Sequence, residues 1–535
     1  MAETFDKIDF MIGQKIIGEM QYPEYADSRL FYDGEHFNGG KFWIGPTPSP
    51  DDPIYGDVMA IVERNFVSRN IIKEVVDRHV SNVLANEPYW KFSPKRELGF
   101  GESPNGDEEK RMVEAEALLQ TWVDNRIVAY ENEDQNDVLR DALVDLLLGG
   151  RAVLRLFVPP DELVNGQVPK GSMEESLNRI YIHHTPSADS CLYLDPTSQR
   201  QIGLFRYDYS DLFAQFHRGI EFSYLNRQKQ TVIRSIAVAG SEADEGDFAQ
   251  PVTIDLGGRL TMFEMRRPPM IGKEIHSLQK LHNMNWTMWG RNTVLAGFLE
   301  RVVLNAHLPK GLKVGAGSTY SLIGKEIVDQ DGRRTIATPN VLWRDPVDVT
   351  SFRTTREASY HAILEQVNMA HYTLSGDSRL SAESRRQSLA DYSKDLRITA
   401  NAAERSYRWM LETVLKMAAT FAGEPNRFDD LRAEVTVSAN PGIVDPDVWL
   451  AVDQLVQSRM MSRERGMAEI GVVDIDSELA RIAIEKTGRL WEALGVPKEQ
   501  SPAGGSLTES AKSPAGEDSA TFVKGFLRRR RSRGL

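Results

Sequence analysis

The segment HNMNWTMWGRNTVLAGFLERVVLNAHLP, residues 282–309, decides how the fold of this chain is predicted. It has the length of a long helix and almost no charge in its first half, yet it carries Trp286, Trp289 and several Asn residues. Arg291, Glu300 and the Asn residues exclude the run of ~20 apolar residues that a membrane span needs. A helix that is neutral nearly all round is typical of burial. We therefore predict a helix covered by protein on most sides, either in the centre of a monomeric domain or between copies of the chain.

The composition predicts a globular protein of several domains. The 535 residues are enough for roughly three to four domains of ~150 residues each. A hydrophobic content of 41% and a charged content of 26% are ordinary for a globular chain. The formal net charge of -13 argues against a surface that binds nucleic acid everywhere, because phosphate binding needs a basic face. Local contacts with DNA stay possible.

Cysteine usage and the N-terminus favour a cytosolic chain. Cys191 is the single cysteine, so no disulfide framework or zinc cluster can form within one chain. A small, partly buried residue is a better interpretation of Cys191 than a nucleophile. The start, MAETFDKIDFMIGQKII, lacks the basic and apolar regions of a signal peptide, so we predict none, and we predict no membrane segment.

Residues 1–268 are predicted to form a mixed region of helices and strands. Their first part, 1–55, is rich in aromatic residues, Gly and Pro, which predicts an extended arm with turns. Apolar spacings of three and four then predict an amphipathic helix over 57–86. Further helices are predicted over 107–129 and 133–149. The period next changes to that of strands, which we predict over 151–159, 179–184, 204–209, 230–239 and 259–265.

The second half of the chain is predicted to be mainly helical. Gly423 and Pro425 stop the longest of its helices, and Asp445 with Pro446 begins the last helical block. In chain order we predict a helix over 269–309, a β-like stretch over 310–349, a helix over 354–373, a break at 375–385, a long helix over 382–421, a strand over 432–439, a helical block over 445–495, and disorder over 497–521 before an Arg-rich end.

The sequence predicts no catalytic residues, no metal site and no cofactor. The segment 315–326 has the wrong spacing for a phosphate-binding loop, and Gly99-Phe100-Gly101 is only half of a dinucleotide motif. His183 and His184 follow each other in a predicted strand, so their side chains point to opposite faces. The chain is therefore predicted not to be an enzyme, although an unrecognised nuclease-like activity stays an alternative.

Three stretches resemble the portal proteins of tailed double-stranded DNA phages, particularly the siphophage type. SRMMSRERGMAEIGVVDIDSELARIAIEK (458–486) looks like the crown segment of that family, where a Met–Ser–(Lys/Arg)–Glu turn precedes an acidic helix. Residues 364–411 are similar to the helix, loop and helix that line the tunnel of the family. Residues 277–304 stand where a stem helix of the family would lie. The order of elements over roughly 57–490 supports the resemblance.

The resemblance implies an α+β, mainly helical portal-type fold with wing, stem, clip and crown, assembled as a ring. Its divisions would be a wing (1–268, with the arm 1–55), stem helix 1 (269–308), a clip (309–350), stem helix 2 (351–373), a tunnel loop (374–384), a long helix and wing return strand (385–444), a crown (445–495) and a disordered tail with a basic end (496–535).

The family resemblance also implies function and partners. It implies a ring of typically twelve subunits at one capsid vertex of the virion, assembled in the host cytoplasm, with double-stranded DNA passing through its channel during packaging and ejection. Terminase, major capsid and scaffold proteins, and head-completion proteins would be its partners. An oligomeric virion scaffold or adaptor protein that translocates no DNA is the alternative.

Candidate site residues follow from this resemblance. Trp286, Trp289, Gly290 and Phe298 would lie at subunit borders of the stem, where aromatic residues supply contact area and Gly allows close approach. Mobile tunnel loops would bring Arg379, Arg385 and Arg386 near DNA, although a plain helix connector with ion-paired Arg is the alternative. The basic residues of the clip, which an ordinary solvated face would also explain, are Lys310, Lys313, Lys325, Arg333 and Arg334.

Overall fold

The structure is a computed structural model with about 51% helix and 20% strand, which confirms a mixed, mainly helical chain. It divides into two compact units, Met1–Val448 and Trp449–Leu535. The structure describes residues 2–96, 104–128, 138–159, 162–163, 168–196, 199–210, 216–238, 251–297, 301–304, 306–307, 323–328, 334–336, 338, 340–343, 350–369, 382–439, 446–469, 479 and 482.

The helices and strands of the described residues are labelled in chain order. The helices are α1 (Ala2–Met20), α2 (Tyr25–Asp33), α3 (Tyr55–Arg64), α4 (Ile71–Val83), α5 (Gly106–Val123), α6 (Val138–Gly149), α7 (Met173–Asn178), α8 (Lys273–Gly297), α9 (Thr350–Gln366), α10 (Ala382–Ala422), α11 (Pro446–Gln457) and α12 (Arg463–Glu469). The strands are β1 (Tyr89–Pro94), β2 (Arg151–Phe157), β3 (Tyr181–Thr185), β4 (Ser190–Leu194), β5 (Gln201–Ser210), β6 (Phe216–Leu225), β7 (Thr231–Val238), β8 (Val252–Ile254), β9 (Met262–Arg266), β10 (Arg301–Leu304), β11 (Ala306–His307), β12 (Ile323–Gly324), β13 (Glu326–Val328), β14 (Arg334–Ile336), β15 (Asn340–Trp343) and β16 (Leu431–Thr436).

The predicted extended arm over 1–55 is wrong, because α1 and α2 occupy much of it. Ile17 of α1 is 1% exposed and packs on a cluster of sheet residues that includes Leu204 and Ile220. This tertiary contact stabilises a helix that the Gly- and Pro-rich composition of the whole segment conceals. The turn chemistry appears only after α2, where Gly34 takes a φ of 94°.

The predicted helix over 57–86 is two helices, α3 and α4, so the single-helix prediction is wrong. Residues 66–70 between them are neither helix nor strand. Asn70 causes the second start, because its side chain accepts a hydrogen bond from Lys73 N at 2.8 Å and caps α4. The helix α4 then buries one apolar face, which includes Ile71, Val75 and Val76.

A β-sandwich lies in the first half of the chain. Its five-stranded sheet has the order β4-β5-β6-β7-β8, and its three-stranded sheet has the order β3-β2-β9. Side chains alternate along β5: Leu204 faces the cluster beneath α1, and Gly203 faces Met262 of β9. Arg155 of β2 also reaches across to Glu221 of β6, with Nε and Oε1 2.8 Å apart. The helix α1 and the smaller sheet therefore cover opposite faces of the larger sheet.

The helix α10 runs through the hydrophobic core. Its side chains from Tyr392 to Phe421 contribute many members of one large buried cluster. Carboxylates of α10 also bind the backbone of the strand that follows, since Ala433 N donates to Glu412 Oε1 and Val437 N donates to Glu404 Oε1, each at 3.1 Å. Its bounds, Ala382–Ala422, confirm the predicted long helix, and Gly423 ends it with a φ of 85°.

The predicted helix over 269–308 is wrong at its C-terminal end. The helix α8 ends at Gly297, and β10 then pairs antiparallel with β15, with Arg301 opposite Trp343 and Leu304 opposite Asn340. The β-branched pair in Arg301–Leu304 suits a ladder better than a continued helix. Strands β12 to β15 confirm β structure in the described parts of 310–349, the stretch that was predicted to be β-like, whereas β11 lies where the helix was predicted to continue.

Two further boundaries differ from prediction. The returning helix α9 ends at Gln366, before the predicted end at 373, because Asn368 turns the chain with a φ of 58° and Met369 N donates to Leu364 O. The helix α10 begins at Ala382, where the long helix was predicted to begin, so the last three residues of the implied tunnel loop 374–384 are helical. Residues 374–381 lie outside the described residues.

The second unit begins at Trp449, close to residue 445, where the C-terminal helical block was predicted to begin. It contains most of α11 and all of α12, joined by a turn in which Arg459 takes a φ of 58°. Ser462 caps α12 by accepting from Arg465 N at 3.2 Å. Most of the remainder of the predicted block, and the whole C-terminal tail from 483, lie outside the described residues.

Replacing Gly149 by Ala should destabilise the first unit by about 1–3 kcal/mol, because the new Cβ would meet well-packed atoms. An ideal Cβ at Gly149 lies 2.8 Å from Tyr25 Cδ2 and 2.9 Å from Ser187 Oγ. Gly18→Ala is the control: Gly18 lies exposed in α1 with no atom within 4 Å, so this change should stabilise the helix. Urea denaturation of both variants measures the difference, and equal stabilities would contradict the packing at Gly149.

Candidate functional site

The polar face of α8 binds the backbone of the segment between α3 and α4. Gln279, Asn283 and Thr287, spaced by four residues, are 0%, 2% and 4% exposed. Gln279 Oε1 accepts from Ile71 N at 3.1 Å, and its Nε2 donates to Arg69 O at 2.7 Å. This side-chain amide therefore replaces the strand neighbour that the backbone of residues 69–71 lacks.

The same pattern continues along α8. Asn283 Oδ1 accepts from Gln279 Nε2 at 2.9 Å and from Arg69 N at 3.4 Å. Val67 N donates to Thr287 Oγ1 at 3.1 Å. Gln279, Asn283 and Thr287 thus contact residues 71, 69 and 67 in turn. Each step is four residues along the helix and two residues back along the facing segment. The two spacings match, because four helical residues rise ~6 Å and two extended residues span ~6.6 Å.

Asn283 also connects this face to His36. Its Nδ2 donates to His36 Nδ1 at 3.0 Å, and the His36 ring lies against Phe31 with the ring centres 5.5 Å apart. Burial lowers the pKa of His36 to about 4. His36 therefore stays neutral at pH 7 and accepts the Asn283 proton at Nδ1.

A second group of side chains joins α8 to α9. Trp286 Nε1 donates to His282 Nε2 at 3.0 Å, and His282 Nδ1 lies 3.0 Å from Ser359 Oγ and 3.2 Å from Arg356 O. The indole N–H can only donate, so His282 Nε2 is an acceptor and Nδ1 carries the proton. Burial, together with the charges of Arg69 and Arg356, lowers the pKa of His282 to about 4.

Arg356 of α9 lies over both Trp rings of α8. Its guanidinium carbon is 4.4 Å from the ring centre of Trp286 and 4.8 Å from that of Trp289. The two indoles are themselves 5.1 Å apart. Cation–π contact and aromatic packing therefore fix α9 beside α8, and both Trp residues remain half-buried.

The predicted stem residues lie in different surroundings. Trp286 and Trp289 contact α9 of their own chain, and Gly290 is exposed, with no atom within 4 Å of an added Cβ. Phe298 lies outside the described residues. The buried part of α8 is thus covered by its own chain up to Thr287, which supports the monomeric alternative for that part of the helix. From Gly290 to Thr293 the helix is exposed or half-buried.

The predicted clip and tunnel residues are described only in part. Lys325 and Arg334 are exposed, and Arg334 Nη1 lies 3.6 Å from Glu326 Oε1, across the pair of β13 and β14. Arg385 and Arg386 lie in the first turn of α10, where the side chains are outside the described ones. The remaining predicted residues outside the described part are Lys310, Lys313, Arg333 and Arg379.

Ionisable side chains elsewhere in the core are engaged in structural contacts. Arg267 Nη2 donates to Asp395 Oδ1 at 3.0 Å and Nη1 donates to Thr399, which also contacts His79 Nε2 at 2.9 Å. Burial lowers the pKa of His79 to about 3. This group joins α4, the end of β9 and α10, so it ties three parts of the core together.

Two residues weighed for enzyme chemistry, His184 and Cys191, lie among buried or half-buried groups of the described chain. Asp145 accepts from Ser187 N at 2.7 Å and from Tyr25 Oη, and His184 Nε2 lies 3.4 Å from its Oδ2. Cys191 is buried, and burial raises the pKa of its thiol to about 11. Among the described residues, no group of three or more His, Cys, Asp or Glu lies close enough to hold a metal ion.

Within the described ranges, no helix combines the length and apolar character that crossing a membrane requires. Comparison with the models of known protein families found no match for this chain, and comparison with curated proteins found none either.

Sequence reasoning missed the function of the Asn, Gln and Thr residues of α8. It attributed the neutral character of the helix to contact with protein, but Gln279 and its neighbours instead complete the hydrogen bonds of residues 67–71. The recurrence of Gln279, Asn283 and Thr287 at intervals of four is the signal that would have identified the face. Their partner segment, about 210 residues earlier, has no local signal.

Gln279→Leu should lower the free energy of unfolding by about 1–3 kcal/mol, because it removes the hydrogen bonds that Gln279 makes to Ile71 N and Arg69 O and leaves these two atoms only the 3.1 Å bond between them. The control is Asn292→Leu, since Asn292 donates only to Met288 O of its own helix and is half-buried. That control should change stability by under ~1 kcal/mol. Chemical denaturation at pH 7 measures both, and a small effect of Gln279→Leu would refute the proposed pairing.

Stability should fall as the pH drops from about 6.5 towards about 4, because His36 and His282 bind protons in the unfolded chain before they do so in the folded one. Above pH 6.5 both states are neutral at these sites, so their contribution is complete there. Between pH 6.5 and pH 5, each histidine should cost about 2 kcal/mol. His282→Gln, which keeps an acceptor and a donor, should lose less stability over this interval than the wild type. Parallel losses in denaturation at pH 7 and pH 5 would contradict the assignment.

Proposed function

We propose that this chain is a subunit of a phage portal ring, which forms the DNA channel at one capsid vertex. The observation that carries the proposal is the sequence of α8, the β10–β15 pair, α9 and then the 41-residue α10. This order of helix, β segment, returning helix and long helix is the one that the resemblance implies for stem, clip, stem and tunnel helix.

The surfaces of α8 and α9 that face away from the core support this proposal. Residues 290, 291 and 293 of α8 and most of residues 350–358 of α9 are exposed, while residues 278–289 of α8 are buried or half-buried. A pair of long helices with one covered end and one uncovered end offers surface for neighbouring copies. Gly290 adds a site where a second backbone can approach closely.

The charge of the chain also supports a channel subunit. A net charge of -13 disfavours tight binding of DNA, which a translocating channel must avoid because a ring multiplies every phosphate contact by the number of its subunits. Under the proposal, the first turn of α10, with Arg385 and Arg386, faces the DNA. Terminase and head-completion proteins would bind at the β segment between α8 and α9.

Electron microscopy of the purified protein should show rings with a central hole, and sedimentation at micromolar concentration should show a species many times the 60.3 kDa of the chain. A well-behaved monomer under these conditions would refute the proposal. Closed oligomers that lack a hole and support no DNA packaging would favour the scaffold or adaptor alternative instead.

Gly290→Leu should abolish or alter rings while leaving the thermal stability of the subunit close to that of the wild type. An added Cβ has no atom of the described chain within 4 Å, so the change is expected to affect a neighbouring copy more than the subunit itself. Gly18→Leu, at an equally open helical position, is the matched control and should leave rings intact. Normal rings in the Gly290 variant would remove Gly290 from the interface without affecting the ring test itself.

A further inference from the structure

Two turns lie side by side at one end of the five-stranded sheet. One joins β4 to β5 and includes Gln199 and Arg200, and the other joins β6 to β7 over residues 226–230. In an antiparallel sheet alternate turns fall at the same end. Ile202 pairs with Tyr224 across β5 and β6, so the near edges of the two turns are about one strand spacing of ~4.8 Å apart, and their centres are about two spacings apart.

These turns carry three exposed cations, Arg200, Arg227 and Lys229. Within the described part of the chain, none of the three has an ion-pair or hydrogen-bond partner for its side chain. Arginines elsewhere in the sandwich are paired, as Arg206 is with Asp189 and Arg155 is with Glu221. Arg206 and Arg155 on the strands therefore have acidic partners, whereas the three cations of the turns have none within the described chain.

Hydrogen bonds hold the β6–β7 turn and join the described residues of the β4–β5 turn. Asn226 N donates to Gln230 O, Gln230 N donates to Asn226 Oδ1, each at 2.9 Å, and Asn226 Nδ2 donates to Gln230 Oε1 at 3.0 Å. In the other turn Gln199 N donates to Asp195 O at 2.8 Å. The backbone that carries Arg227 and Lys229 is thus held by hydrogen bonds before a partner binds, which lowers the entropy lost on binding.

Lys229 occupies a backbone conformation that suits glycine better. Its φ is 61°, and Gln199 in the neighbouring turn has a φ of 55°. Left-handed φ is unfavourable for residues with a Cβ, and Gly or Asn usually occupies such positions. The hairpin loop itself favours this φ, because three-residue loops between antiparallel strands commonly end in a left-handed residue, and Lys229 N donates to Asn226 O at 3.1 Å within the loop.

The exposed neighbours of these cations match a phosphate backbone. Gln199 and Gln228 add amide side chains, which together with Arg and Lys are common ligands of DNA phosphates. Protein interfaces depend instead on a buried aromatic or aliphatic centre. Leu194, which is 52% exposed on β4, is an apolar neighbour. The acids near this end are Asp195, which lies in the β4–β5 turn itself, and Asp255, which accepts from Gly257 N within its own turn.

We propose that Arg200, Arg227 and Lys229 form a contact surface for the phosphate backbone of double-stranded DNA, named here the basic sheet end. It goes beyond the channel function, because it involves neither α8 to α10 nor the assembly of a ring. Its success or failure is therefore separate from that of the portal proposal, which electron microscopy tests.

The test is the salt dependence of binding to a fluorescent DNA duplex, measured by anisotropy on the full-length chain. The Arg-rich C-terminus would obscure the effect, so all variants are made in a background in which Arg528, Arg529, Arg530, Arg531 and Arg533 are replaced by Gln. Replacing Arg200, Arg227 and Lys229 together by Gln should weaken binding about tenfold or more at low salt. It should also reduce the slope of log K against log salt by about 2 to 3.

The matched control replaces Lys110, Lys170 and Lys273 by Gln, which removes the same charge from three exposed positions elsewhere. It should leave the slope close to the parent value. An unchanged slope in the first triple variant, or an equal loss in the control, would overturn the proposal. A larger loss of binding to poly-L-glutamate than to the duplex would assign the surface to an acidic polypeptide and would also overturn it.

Lys229→Gly separates the charge of this residue from its effect on folding. Glycine accepts the left-handed φ, so the melting temperature should stay the same or rise, while the salt slope falls by about 1. Loss of binding in a variant of undiminished stability cannot come from unfolding. An undiminished slope would exclude Lys229 from the basic sheet end.

Discussion

The hydrogen bonds between the polar face of α8 and the backbone of residues 67–71 join segments about 210 residues apart. They pair buried and partly buried backbone N–H and C=O groups at the start of α4 and in the segment before it, and leaving a buried group of this kind unpaired costs about 1–3 kcal/mol. The contact requires side chains that are polar, uncharged and spaced by four residues. That requirement explains why the helix quoted at the outset contains Asn and Thr where an ordinary buried helix would contain Leu.

This interaction fixes the position of the surrounding elements. It holds the start of α4 against α8, and α4 in turn contacts α10 through His79 and Thr399. On the neighbouring side of α8, His282 and Trp286 bind α9, and Arg356 of α9 covers both indoles. The α8–α9 pair is therefore anchored at its buried end by directional bonds rather than by apolar contact alone, which defines one register for the two helices.

The sequence was most informative where a regular spacing of apolar residues continues over many residues and where capping residues mark the ends of the element. The helix α10 was predicted almost to the residue, because its apolar positions recur over many turns and Gly423 stops it. The helix α1 was missed, since its burial depends on a sheet formed by residues far along the chain. The division between α3 and α4 was missed because Gln279 completes the intervening backbone. Of the proposed site, the aromatic pair was identified, but its partner Arg356 came from a distant helix without a local signal.

The pairing of β10 with β15 closes a long stretch of chain at its base, with Leu304 opposite Asn340. This pair is named here the neck, because the chain enters and leaves residues 305–339 at adjacent points there. Lengthening such a closed loop adds little entropic penalty, about 0.6 kcal/mol for each doubling. Insertions beyond the neck, between residues 304 and 340, should therefore change the stability of the chain little, which makes this stretch a suitable place to insert a tag or a foreign domain.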